Sequence, residues 1–98
     1  MAKISVYGYE FDEESWRKRE RLEFATLDRI YNGIDLSGLK ILDGGTGMGY
    51  SAKYLALHVR DGLVVTVDVD PSSFEMLTNI VEENVLDRIV FIKAKKLI

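Results

Sequence analysis

The hydrophobic positions of this chain change their period several times, and each change marks an element. Between Asp12 and Tyr31 they fall three and four apart: Phe24, Leu27 and Tyr31 form a stripe that Trp16, Leu22 and Ile30 widen, which predicts one long amphipathic helix. Asp12 is placed to cap it, Glu13 and Glu14 lie in the first turn where the helix dipole favours carboxylates, and Asn32-Gly33 ends it. Ahead of that helix, residues 3–9 alternate loosely and predict a short extended segment. After a turn at Leu36–Lys40, a short apolar run at Lys40–Asp43 reads as a strand that breaks into glycines. Helical spacing returns from Ser51 to Arg60, with Ala52, Leu55, Ala56 and Val59 on one face, and Asp61-Gly62 stops it. Leu63–Asp68 is β-branched and nearly continuous, the pattern of a parallel strand covered on both faces. Asp70-Pro71 then starts a helix that carries Phe74, Leu77, Ile80 and Val81 on its apolar side and runs to about Val85. Ile89–Ile92 is a third strand, also buried by its pattern.

The order is therefore a helix followed by β-α-β-α-β. Crossovers of this length imply parallel strands with right-handed connections, in the spatial order 3-2-1 of a doubly wound α/β sheet. Residues 1–35 form an N-terminal extension and helix, and residues 36–98 form the core of a single domain.

Composition narrows the class without changing this picture. A net charge of -3 and a pI near 5.1 provide no basic field for nucleic acid or an anionic membrane. The chain has no cysteine, which excludes disulfides, thiolate chemistry and Cys-ligated zinc. No stretch approaches the roughly 18–20 apolar residues needed to cross a bilayer, and the N-terminus lacks the apolar core of a signal peptide, so a cytoplasmic protein is expected. The basic cluster Arg17-Lys18-Arg19 with Arg21 is interleaved with Glu20 and Glu23 and reads as a solvated helix face. His58, the one histidine, reads as a surface residue near a helix end.

The chemistry gathers at Ile41-Leu-Asp43-Gly44-Gly45-Thr46-Gly47-Met48-Gly49-Tyr50, a strand feeding a tight loop feeding a helix. Glycines let a backbone approach a ligand closely, and a helix N-terminus offers amides and a positive dipole end to an anionic group. Asp68 ends the second core strand, 25 positions after Asp43. An acid there lies beside the loop, where its carboxylate can accept both hydroxyls of a ribose and would oppose a 2′-phosphate. The glycines run G-x-G-x-G rather than G-x-G-x-x-G, and no G-K-[ST] follows, so neither the dinucleotide fingerprint nor a P-loop is present. That spacing favours a nucleoside carrying an amino-acid tail over a pyrophosphate.

The run Ile41–Gly49 resembles the first motif of class I S-adenosylmethionine-dependent methyltransferases, and Val67-Asp68-Val69-Asp70-Pro71-Ser72 resembles their acidic second motif. Val81–Ile92 is similar to their connection into the third strand, so the resemblance covers about residues 36–94. It implies half of a Rossmann-like domain with S-adenosylmethionine as cofactor. It also implies a set of positioning residues: Asp43 organising the loop and meeting the cofactor's amino group, Gly45 and Gly47 under its methionine part, Asp68 on the ribose diol and Val69 against the adenine. Thr46 and Gly49 complete that set, and no metal ligand or catalytic acid or base is implied. Met48 and Tyr50 flank the loop as pocket or core residues; Trp16 and Tyr31 read as helix-to-sheet packing, with closure over the cofactor, which the resemblance implies for the first helix, as the alternative for them and for Tyr7 and Tyr9.

The departures matter equally. The stretch after the third strand is Ala94-Lys95-Lys96, with no acid where the family usually has one. The family's fourth strand and all that follows are missing, so no residue can be assigned to a methyl acceptor, and a truncated enzyme is expected. The first core strand is left with an open edge, which predicts a homodimer joined there. The alternative reading is a non-catalytic half-domain that self-assembles through that edge without a cofactor. A dinucleotide-dependent oxidoreductase fragment is disfavoured by the glycine spacing.

Overall fold

In the computed structural model, which describes residues 4–6 and 9–96 with the side chains of 12–96, Asp12 caps the long helix as its position predicts. Its carboxylate accepts the Ser15 amide at 2.8 Å, and helix α1 runs from Glu13 to Ile30. Trp16 on α1 is buried, and Phe24, Leu27 and Tyr31 pack against the core. Leu22 and Ile30, expected to widen that stripe, are exposed instead. Leu22 is six residues from Trp16, and at about 100° per residue that turns it to the far side. The basic residues lie on the solvated face as expected, with Arg17 paired to Glu13 at 2.8 Å and Arg19 to Glu23 at 3.2 Å, each one helical turn apart. Ahead of α1, the extended segment is two short antiparallel strands, β1 (Ile4–Val6) and β2 (Tyr9–Phe11), with β1 lying against helix α3 described below.

The core follows as β3 (Lys40–Gly44), α2 (Tyr50–Val59), β4 (Leu63–Asp68), α3 (Ser72–Ile80), α4 (Glu83–Leu86) and β5 (Ile89–Lys93). The three core strands are parallel in the order β3-β4-β5, the predicted 3-2-1 sheet, and the register sets Asp43 opposite Thr66. The third helix departs from its expected length. Asp70 starts the turn, its carboxylate accepting both the Ser72 amide and the Ser72 hydroxyl, but α3 ends at Ile80 and Val81 is extended. The β-branched pair Ile80-Val81 is a weak helix former, and Glu82 begins the separate turn of α4. Phe74 was expected on the apolar face of this helix. It is half exposed, with its ring 5.4 Å from Phe91 at the edge of the sheet.

One face of the sheet is covered. Val64 and Thr66 are fully buried under α2 and α3, whose inward residues include Leu55, Ala56, Val59, Met76 and Leu77. Tyr54 links this layer to α1: Phe24 meets its ring edge-on at 5.3 Å, and its hydroxyl donates to Asp28 at 2.8 Å. The opposite face carries Leu42, 73% exposed, with Val90 at 45% and Ile92 at 46%. The β-branched runs predicted cover on both faces. Among the described residues only one face is covered, because a strand's composition states what it can bury and does not supply the layer that buries it. No helix among the described residues is long and apolar enough to cross a membrane.

The β3–β4 ladder begins where the Leu63 amide donates to the Leu39 carbonyl at 2.9 Å. A Cβ on Gly62 would overlap that same carbonyl oxygen. Gly62→Ala is therefore expected to cost about 1–3 kcal/mol, read as a lowered Tm in circular dichroism melts. An unchanged Tm would contradict this account of the strand entry.

Candidate functional site

The loop after β3 turns inward. Gly45, Gly47 and Gly49 all take positive φ, at +87°, +54° and +88°. The Gly45 and Thr46 amides both donate to the Val67 carbonyl, at 2.8 and 2.9 Å, and the Gly47 amide donates to Asp68 Oδ2 at 2.7 Å. Gly49 donates back to the Thr46 carbonyl at 2.9 Å. These amides are thus committed to β4 and to the loop, whereas a phosphate cradle aims such amides at its ligand. The expectation that this segment offers amides to an anion fails for these four. Gly49 also closes the packing: any Cβ there would come within 3.2 Å of methyl groups of both Leu77 and Ile80.

Two carboxylates flank the loop. Asp68, 2% exposed at the end of β4, accepts the Gly47 amide on Oδ2 and the Asp70 amide on Oδ1 at 3.1 Å. Asp43 on β3 accepts the Thr66 hydroxyl at 2.8 Å, and the Thr66 hydroxyl meets the Thr46 hydroxyl at 2.7 Å. Burial raises the Asp43 carboxyl above its ordinary range; hydrogen bonds from Thr66 and Ser51 pull it back, and the Asp68 charge pushes it further up. Val69, exposed, follows Asp68 directly.

All seven residues singled out in the sequence, Asp43, Gly45, Thr46, Gly47, Gly49, Asp68 and Val69, lie at the carboxyl ends of β3 and β4. Sequence reasoning missed Thr66 and Ser51. The signal for Thr66 was available: it is the single hydroxyl in an otherwise aliphatic run, in register with Asp43.

A cavity of about 450 Å³ opens between the start of α1, the first turn of α2 and the end of α3, lined by Trp16, Arg17, Lys53, Asn79 and Ile80 among others. None of the seven residues lines it. They form a ledge in which Thr46 and Asp68 are buried and a Cβ at Gly45 or Gly47 would meet open space. Trp16 is fixed in place, its carbonyl accepting the Tyr50 hydroxyl at 3.2 Å while Arg17 lies 4.8 Å over its ring. Burial pushes the Tyr50 phenol up to about 12. Met48 is partly buried against the core. Tyr31 and His58 border a separate cavity at the other end of α2, where the His58 ring stacks 4.1 Å from Tyr54. Tyr7 and the Tyr9 side chain lie outside the described residues. After β5, the Ala94 amide donates to the Asp68 carbonyl at 2.9 Å, and exposed Lys95 and Lys96 follow. Among the described residues no group of three or more acidic or histidine side chains is gathered as a metal site.

This geometry has a counterpart among solved structures. A SAM-dependent methyltransferase from Aquifex aeolicus matches with a TM-score of 0.58 and 26% sequence identity, over 86% of this chain and 47% of that one. The chain thus spans about half the length of the protein it matches. No family model and no curated protein matches the sequence. The likeness supports a class I, methyltransferase-like fold for this α/β unit, with three parallel strands, flanking helices and an N-terminal helix.

The raised Asp43 carboxyl has a sign that can be tested. The folded chain holds this proton to higher pH than the unfolded chain does, so stability is lost as pH rises through that window. Asp43→Asn is expected to raise Tm by a few degrees at pH 7, with the gain closing as pH falls below the carboxylate range. A Tm at pH 7 equal to or below that of the parent would refute the assignment.

Proposed function

We propose that the chain binds S-adenosylmethionine on the ledge formed by the Gly45–Gly49 loop, Asp43 and Asp68, and that it constitutes the cofactor-binding part of a methyltransferase. The observation that carries this reading is two carboxylates flanking a glycine loop whose amides face inward. Such a ledge is negative and poor in donors for an anion. It suits a ligand that brings a cation and hydroxyl donors: a sulfonium, an α-ammonium and a ribose diol. A pyrophosphate brings the wrong charge and needs amides that are already committed, which disfavours a dinucleotide. A Cβ at Gly45 or Gly47 would meet nothing within 4 Å, so there is open space above the loop for a ligand to lie close.

When bound, the cofactor would supply a methyl group activated on sulfur. In this reading Asp43 attracts its ammonium, Asp68 accepts from its ribose hydroxyls while holding Gly47, and Val69 lies against its adenine. These residues bind and orient. The methyl acceptor would be held elsewhere, since no side chain on the ledge is placed to hold it in line with the methyl group. The likeness to the Aquifex methyltransferase supports the assignment at the level of fold and cofactor class.

A second reading, compatible with the first, is self-assembly through β3. Leu42 is the most exposed large hydrophobic of the bare sheet face, and among the described residues β3 has a neighbouring strand on one side only. A two-fold axis beside β3 would pair it antiparallel with the β3 of a second copy and set Leu42 against its equivalent.

Calorimetric titration tests the first reading. S-adenosylmethionine and S-adenosylhomocysteine are expected to bind, NAD to give no heat, and Asp68→Ala to weaken binding roughly 10–100-fold with its circular dichroism spectrum retained. Absence of binding by well-folded parent protein would overturn it. For the second reading, sedimentation velocity should show a dimer that Leu42→Asp converts to monomer; a parent that stays monomeric across the micromolar range sinks it.

A further inference from the structure

We propose that Thr66 is a positioning residue for this site, the middle link of a one-way hydroxyl chain that runs from Thr46 on the glycine loop to Asp43. The direction follows from the proton count. A threonine hydroxyl has one proton, and that of Thr66 is donated to Asp43 Oδ2 at 2.8 Å. The 2.7 Å contact between the Thr46 and Thr66 hydroxyls must then be donated by Thr46. Both threonines are buried, so neither hydroxyl exchanges its partner for water at low cost.

The chain has two consequences. It holds the Asp43 carboxylate toward β4, in the register that sets Asp43 opposite Thr66, and it adds a side-chain tie to the two amide bonds already holding Gly45 and Thr46 on Val67. It also couples the loop to the charge on Asp43. With Asp43 ionised, both hydroxyls point toward it. A protonated Asp43 can donate to Thr66, which reverses both links and frees the Thr46 proton to point elsewhere. The groups facing Asp43 are Thr66 and Asp68 from β4 and Ser51 from α2, so the charge on Asp43 is set by these three and by burial. The relevance of the chain to a cofactor rests on the S-adenosylmethionine reading; its existence does not.

The test separates the two. Carbon-detected NMR titration of the Asp43 carboxyl in the ligand-free parent, Thr66→Ser and Thr66→Val reads the chain directly. Thr66→Val keeps the shape and removes the donor to the ionised form, so the Asp43 midpoint should move upward by about one pH unit, and Thr66→Ser should restore it. S-adenosylmethionine affinity should fall in Thr66→Val and recover in Thr66→Ser. An unmoved midpoint in folded Thr66→Val, or a serine variant that behaves like the valine variant, overturns the chain. A moved midpoint with no ligand binding by any form leaves the chain standing and overturns the cofactor reading. A moved midpoint with affinity equal in all three forms overturns the positioning role.

Discussion

The attachment of the glycine loop to β4 is the constraint from which the rest of the site follows. Three successive amides, from Gly45, Thr46 and Gly47, find acceptors on Val67 and Asp68, and the positive φ values of the glycines allow the backbone to fold back far enough to reach them. The loop is consequently a part of the β3–β4 junction and carries little freedom of its own. Its position fixes where α2 begins, and Gly49 brings that start against Leu77 and Ile80 of α3. Strand, loop and two helices are thereby locked around one short run of backbone. A side chain at Gly49 would disturb all of them at once.

That arrangement leaves charge where a fold optimised for stability alone would avoid it. Asp43 is partly buried and lies near a second carboxylate, and its proton affinity is raised as a result. Hydrogen bonds from Thr66 and Ser51 reduce the cost without removing it. Local destabilisation of this kind, at the carboxyl edge of a parallel sheet, is what a cationic ligand would relieve, which is why it supports the proposed binding of S-adenosylmethionine. The same electrostatics select against a phosphate. The charge on the ledge and the inward turn of its amides are two independent observations with one implication.

The sheet has a second unresolved demand. Its strands are apolar on both sides, and the described residues cover one of them, leaving Leu42, Val90 and Ile92 exposed on the other. The Asp43 side chain, bonded to Thr66, lies on the covered side, and the cavity of about 450 Å³ at the junction of α1, α2 and α3 is lined by none of the seven site residues.

The sequence by itself determined the order of elements, the parallel 3-2-1 sheet, the Asp12 cap and the residues of the ledge, because each is a local matter of periodicity, capping chemistry or a residue type at a strand end. Asp43, the three glycines and Asp68 were legible for that reason. What only the tertiary structure decided was every property that depends on a neighbour distant in sequence. Thr66 became part of the site through register with Asp43, and Tyr54 joined α1 to the core through Phe24 and Asp28. The same holds for the loop that opened as a possible anion cradle. Glycine spacing shows that a backbone can turn tightly, but the direction its amides face depends on which acceptors the adjacent strand presents, and β4 presents Val67 and Asp68.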